Sequence, residues 1–359
     1  MKRQHPYKTL PPKAFWRRSV AECPASEVDP VGIFEARIDA DTKVATAGSC
    51  FAQHIARYLK DSGYCYYVVE GGHPILPPKT RANQNYGLFS CRYGNIYTAR
   101  QLVQLFERAY GRFVPAEDVW QKGPEEFIDP FRPTTQPGGY VSREELLADR
   151  AQHLAAVRQM FETLDVFVFT LGLTECWRST DDGAVFPVCP GVEAGRFDPA
   201  KYEFYNQPVE DVIADLAAFR DALHAVNPKA QIILTVSPVP LVATAEEGAH
   251  VLSATTYSKS VLRVAAEATR QRFDNVHYFP SYEIITGAFN RGAYYAPDLR
   301  NVVEDGVAHV MRLFLAHATG RPEESLPAGE AREQLHDTHL DMARKLVEVE
   351  CDEVALDRE

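Results

Sequence analysis

The sequence predicts an α/β protein: a three-layer α/β/α sandwich on a mostly parallel five-stranded sheet, with loop insertions and a C-terminal helical tail. Three observations carry this expectation. Residues 165–171, Asp-Val-Phe-Val-Phe-Thr-Leu, form a near-continuous apolar run, the pattern of a strand covered on both faces. Strand-like and helix-like segments alternate along most of the chain, and parallel strands need crossover helices. The composition, 45% hydrophobic and 24% charged over 359 residues, is that of an ordinary folded protein.

The elements follow in order. Residues 1–40 form an N-terminal arm, basic at its start through Lys2, Arg3, Lys8, Lys13, Arg17 and Arg18, and either packed over the domain or solvated. Residues 41–319 form the domain. Turn formers Asp39, Asp41 and Thr42 precede a short buried strand at 43–48. A helix at 51–61 follows, with Phe51, Ile55, Tyr58 and Leu59 at helical spacing and Ser62-Gly63 as its stop. Residues 64–69 are aromatic and β-branched, and read as a second strand. Leu102, Leu105 and Phe106 share one face of a helix over 98–109. The proline-bearing stretch at about 110–141 reads as an irregular insertion. Ser142 and Glu145 make a capping box that opens a helix to about 163. After the central strand, a second insertion spans about 179–206. Pro208 opens a helix that Asn227-Pro228 ends. Strands at 231–236 and 276–279 bracket a helix over 255–273. The last domain helix, 304–317, turns Val307, Val310, Met311 and Phe314 inward. The tail, 320–359, is polar and ends in an amphipathic helix at about 333–349.

Composition also narrows the partners. A formal net charge of −11 disfavours nucleic acid, which needs a basic footprint. No apolar run has the length of a membrane span or of a signal peptide, so a cytoplasmic protein without membrane association is expected. The seven cysteines include no Cys-x-x-Cys pair, which points to thiols rather than disulfides and leaves no structural zinc signature. No Gly-x-Gly-x-x-Gly follows the first strand, so no dinucleotide, and no other cofactor, is expected.

The strand ends are where such sheets bind ligands. At the first, Gly48-Ser49-Cys50-Phe51-Ala52 turns a strand into a helix. Side chains there meet backbone amides and the positive end of the helix dipole. A thiol so placed moves toward thiolate, and nearby amides can hold an oxyanion. Ser49 has a plainer reading as the helix N-cap.

These five residues match, letter for letter, the motif that names the GSCFA family, which this chain resembles over roughly 42–314. That family is similar to the SGNH/GDSL hydrolases, whose fold is flavodoxin-like. Laying Gly48 on the glycine of the Gly-Asp-Ser motif puts Ser49 at the aspartate position and Cys50 at the nucleophile. The resemblance implies Gly94, with Asn95 beside it, as the second-block contribution to an oxyanion hole. It puts Thr174 in the place of the oxyanion-hole asparagine, followed by Glu175, which has a plainer role as partner of a cation such as Arg178. It aligns Asp298 with the aspartate of the final Asp-x-x-His block, and Asn301 with the histidine. Asparagine cannot act as a general base. His250, in the loop after the 231–236 strand, is the substitute on the expected face; His73 and His309 are the others. Lys259 reads either as an anion contact or as a solvated lysine near a cap, and Cys176 and Trp177 as pocket lining or core. The resemblance implies an ester hydrolase or acyltransferase acting through Cys50, or Ser49, on a small-molecule or carbohydrate-linked O-acyl ester. Asn301 motivates the alternative, a binding protein that keeps the pocket without the base.

Overall fold

A computed structural model describes residues 5–49 and 51–320. Cys50, Cys351 and the helix expected at 333–349 lie outside the described residues. In chain order the strands are β1 (Val44–Gly48), β2 (Trp120–Gly123), β3 (Glu126–Ile128), β4 (Val166–Leu171), β5 (Glu175–Ser179), β6 (Val185–Phe186), β7 (Tyr202–Asn206), β8 (Gln231–Val236) and β9 (Val276–Tyr278). The α-helices are α1 (Phe51–Asp61), α2 (Pro78–Asn83), α3 (Ala99–Ala109), α4 (Arg143–Thr163), α5 (Val209–Val226), α6 (Val251–Arg272), α7 (Ser281–Thr286) and α8 (Glu304–Thr319).

Strands β1, β4, β8 and β9 form a parallel sheet in that spatial order. The apolar run of β4 sits at its centre and alternates between two cores, because successive side chains leave opposite faces. Phe167, Phe169 and Leu171 join the core under α3, α4, α5 and α6, whereas Val166 and Val168 join the core under α1, α7 and α8. Both faces are covered, so the three layers expected from the sequence are present.

The sheet has four strands rather than five. The backbone of residues 64–69 pairs with β1 around Val44, whose amide donates to the Cys65 carbonyl at 3.1 Å and whose carbonyl accepts from Tyr67 at 2.8 Å. Further along β1, the Thr46 amide donates instead to the Ser90 hydroxyl at 3.0 Å. A side chain thus closes that edge, and the expected second strand diverges until Val69 donates to the Ser90 carbonyl at 2.9 Å.

The insertions are more ordered than their composition implies. The first contains the β2–β3 hairpin, and the second closes an antiparallel sheet of order β6-β5-β7. Together they build a satellite core in which the Trp120 and Phe131 rings lie 5.2 and 5.4 Å from Phe186. Neither insertion has a periodic apolar face of its own; the aromatic residues find one another only across the fold. The N-terminal arm also contributes, burying Val31, Phe34, Ala36 and Ile38 beside α8, with the Ile38 amide on the Ala318 carbonyl at 2.9 Å. Among the described residues no helix is long and apolar enough to cross a membrane.

Candidate active site

The turn after β1 is built around Gly48. Its φ is +134°, a conformation glycine adopts and other residues rarely do. An added Cβ would press into the Thr170 backbone, 2.7 Å from its nitrogen and closer still to its oxygen. β1 and β4 therefore approach here at a distance only glycine allows. Ser49 continues the ladder, its amide on the Thr170 carbonyl at 3.1 Å, and its own carbonyl accepts from Ala52 at 2.9 Å. The Ser49 side chain is 3% exposed, and its Oγ has no hydrogen-bond partner among the described residues. Among the described residues this hydroxyl satisfies no amide of α1, which counts against the N-cap reading of Ser49.

The second-block loop locks onto this turn. Ile96 donates to the Gly48 carbonyl at 2.9 Å, and Tyr97 accepts from Gly172 and Leu173 at 2.9 and 3.2 Å. One short segment thus bridges the ends of β1 and β4. Gly94 takes a φ of +69°, and Asn95 next to it is buried. On the other side stands Gln53 of α1, 8% exposed, with neither amide oxygen nor amide nitrogen partnered among the described residues. Gln53, Gly94, Asn95 and Arg92 line a narrow cleft open to solvent. The sequence reading missed Gln53; its signal was a glutamine on the apolar face of α1, among Phe51, Ala52, Ile55 and Ala56.

At the end of β4 the fold holds Gly172-Leu173-Thr174 with the first turns of α6. Ser258 Oγ accepts from the Thr174 amide at 3.0 Å, and Lys259 Nζ donates to the Gly172 carbonyl at 2.6 Å. Lys259 is 2% exposed, so it is not the solvated lysine the sequence allowed. The Thr174 hydroxyl donates to Asn206 Oδ1 at 2.6 Å, which commits its proton to the β7 side. Glu175 accepts from the Thr244 hydroxyl at 2.7 Å and clips the loop after β8; burial raises its pKa. It does not pair with Arg178, which bonds Glu203 at 2.5 Å. Cys176 is buried and Trp177 half-buried, its ring against Phe197 and Phe204.

The last block closes on itself. Asp298 Oδ1 accepts from the amides of Arg300 and Asn301, both at 3.0 Å, and the Asn301 side-chain amide donates to Oδ2 at 2.5 Å. Burial works to raise the Asp298 pKa, but those bonds outweigh it and hold the carboxyl below its ordinary range. Asp298 and Asn301 are thus paired to each other, three residues apart. The loop docks on the sheet through Tyr295, whose hydroxyl donates to the Pro238 carbonyl at 2.8 Å.

The three substitute histidines are occupied elsewhere. His250 caps α6, its Nδ1 accepting from Leu252 at 3.1 Å, and is exposed. His73 accepts from Ile75 at 3.2 Å in an exposed loop. His309 is buried between the Tyr294 hydroxyl, 2.8 Å from Nδ1, and the Val28 carbonyl, 3.0 Å from Nε2. No group of three His, Cys, Asp or Glu side chains among the described residues could hold a metal ion.

A family model, that of the GSCFA family, matches residues 43–314. No curated protein matches the chain in sequence. Among solved structures, a crystal structure of an acetyl esterase mutant with an acetate ion is similar at 11% identity and a TM-score of 0.33, covering 75% of this chain and 92% of that one. A likeness that distant says nothing of the chemistry here.

Proposed function

This chain belongs to the GSCFA family, and on that premise we propose that it is an ester hydrolase or acyltransferase working at the Gly48-Ser49-Cys50 turn. The carrying observation is a pair of buried polar side chains beside that turn, Ser49 and Gln53, whose Oγ and amide atoms have no partner among the described residues. Leaving a buried polar group unsatisfied costs about 1–3 kcal/mol. A fold that satisfies Thr174, Asp298 and Lys259 nearby, yet leaves these two, supports a site completed by the polar groups of a substrate.

In this reading the Cys50 thiolate attacks the ester carbonyl carbon, and backbone amides of the turn and of the Gly94-Asn95 loop receive the developing oxyanion. The carbon–oxygen bond breaks, the alcohol leaves with a proton, and a thioester remains. Water then attacks it to give the acid, or an acceptor hydroxyl, such as that of a sugar, attacks it to give a new ester; either returns the thiolate. Asn301 supplies no base, so the scheme relies on a thiol acidified by the start of α1. Ser49 is the second candidate nucleophile.

Incubation of the full chain with p-nitrophenyl acetate, followed by intact-mass measurement, tests this. A burst of nitrophenol with one acetyl adduct, absent in Cys50→Ala and kept in Ser49→Ala, is expected. The reverse pattern transfers the role to Ser49. No adduct and no turnover across donors and pH favours the second reading, a binding protein, which the closed Asp298–Asn301 pair supports.

A further inference from the structure

Behind the second-block loop, α3 and the first insertion enclose a group of buried arginines. Arg92, Arg108, Arg132 and Arg150 are all at least nine-tenths buried. Ionised side chains leave water at a cost of several kcal/mol each unless they are paired. Three of the four are paired. Asp129 Oδ2 accepts from Arg132 Nε at 2.9 Å and from Arg150 Nε at 3.0 Å, while its Oδ1 accepts from the Phe131 amide at 3.1 Å. Asp149 takes Arg132 Nη2 at 2.5 Å and Arg92 Nη1 at 3.2 Å. Asp118 stands 3.5 Å from Arg150 and also serves the surface Arg143. Glu70 is occupied by the Arg92 amide and by His153, both at 2.7 Å.

Arg108 is the exception. Its guanidinium lies 3.9 Å over the Phe131 ring, and among the described residues it makes no ion pair and no hydrogen bond. Arg132 Nη1, fully buried, also lacks a partner among the described residues. Both arginines line one narrow cleft open to solvent, whose wall includes Tyr93, Asn95 and His153. Burial lowers the Arg108 pKa to about 10, with Arg150 and Arg132 adding to the fall against Asp129, so a guanidinium short of negative charge is consistent with the geometry.

We propose that this cleft is a binding site for a small oxyanion, a carboxylate or a phosphate group, held between the guanidinium of Arg108 and the free Nη1 of Arg132. Two guanidinium groups with unused donors suit an anion with two or more oxygens, since charge-assisted hydrogen bonds are the strong ones. The Phe131 ring holds the Arg108 guanidinium 3.9 Å from its centroid, at the wall of this cleft. The cleft adjoins the candidate active site, because Asn95 and Ile96 form part of its wall and the Ile96 amide bonds the Gly48 carbonyl. Selection of substrates with an anionic end follows only if the ester chemistry proposed above holds; anion binding itself does not depend on it.

Thermal unfolding of the full chain at constant ionic strength separates the two claims, since it reads binding without turnover. Sodium phosphate and sodium acetate, each at about 20 mM, are compared with chloride. An anion that binds the folded state raises Tm by mass action, and a rise of about 2 °C or more over chloride is expected for at least one. Which anion acts tells phosphate from carboxylate. Arg108→Gln should lose the response, Arg108→Lys should keep a weaker one, and the surface variant Arg143→Gln should respond as wild type. Equal Tm values in all three salts, or a full response in Arg108→Gln, would overturn the site. Should Arg108→Gln fail to fold, Arg108→Lys and the shift of arginine Nε resonances of the wild type on phosphate or acetate titration decide instead. Unmoved resonances reject the proposal.

Discussion

The ammonium of Lys259 donates to the carbonyl oxygen of Gly172 at 2.6 Å, inside a site where the lysine is 2% exposed. This bond ties the start of α6 to the end of the central strand. Lys259→Met should leave that carbonyl oxygen short of a partner and cost about 1–3 kcal/mol. Urea unfolding of the variant checks it. Unchanged or increased stability would mean that removing a buried charge outweighs the lost bond, as it does for some buried pairs.

Gly48→Ala should be among the most damaging single changes. It combines a φ of +134° with a Cβ 2.7 Å from the Thr170 nitrogen. Strained backbone of that kind costs about 1–3 kcal/mol before any clash is counted, so a loss above about 3 kcal/mol is expected, with β1 and β4 forced apart. A soluble variant with the wild-type urea midpoint would contradict the close approach of the two strands.

Asn301→His should restore a base to the last block. The Asn301 amide already sits 2.5 Å from Asp298 Oδ2, where an imidazole N–H can be oriented. General-base catalysis typically contributes about 10²–10⁴-fold, so a rise of about tenfold or more in p-nitrophenyl acetate turnover is expected. The gain should vanish in Asp298→Ala/Asn301→His. No gain, with Cys50 still acylated, means the thiol acts without a base.

His54 makes the fold sensitive to acid. Burial, helped by Arg57, lowers its pKa from the usual 6.5 to about 4, against a smaller pull from Glu304. Between those values the unfolded chain binds more protons than the folded one, so stability falls as pH drops from about 6.5 toward 4 and is level above that window. The residue as a whole is half-buried, so about 1–2 kcal/mol is expected rather than the roughly 3 kcal/mol of the full shift. Urea unfolding from pH 4.5 to 7.5 should show a shallower slope for His54→Gln than for the wild type. Parallel slopes would assign the acid sensitivity to other groups.

Much of the fold was legible because its signals are local. The continuous apolar run of β4, the Ser142 cap of α4 and the Gly48 turn each depend on residues close in sequence, and each appears where expected. His250 shows the boundary of that approach. It lies in the loop the spacing indicated, yet its Nδ1 is spent on the Leu252 amide, a hydrogen bond that composition does not announce.

By itself the chain determined the four strands of the central sheet, the helices that cover it and the turn at Gly48, because backbone sterics and side-chain periodicity act over a few residues. Tertiary structure alone decided that residues 64–69 leave the sheet at Ser90, that the two insertions share one aromatic core, that Lys259 is buried, and that Arg108 has no carboxylate partner among the described residues. Those outcomes depend on which distant groups share a low-dielectric interior, and electrostatic and hydrogen-bond partners there are set by proximity in space rather than along the chain.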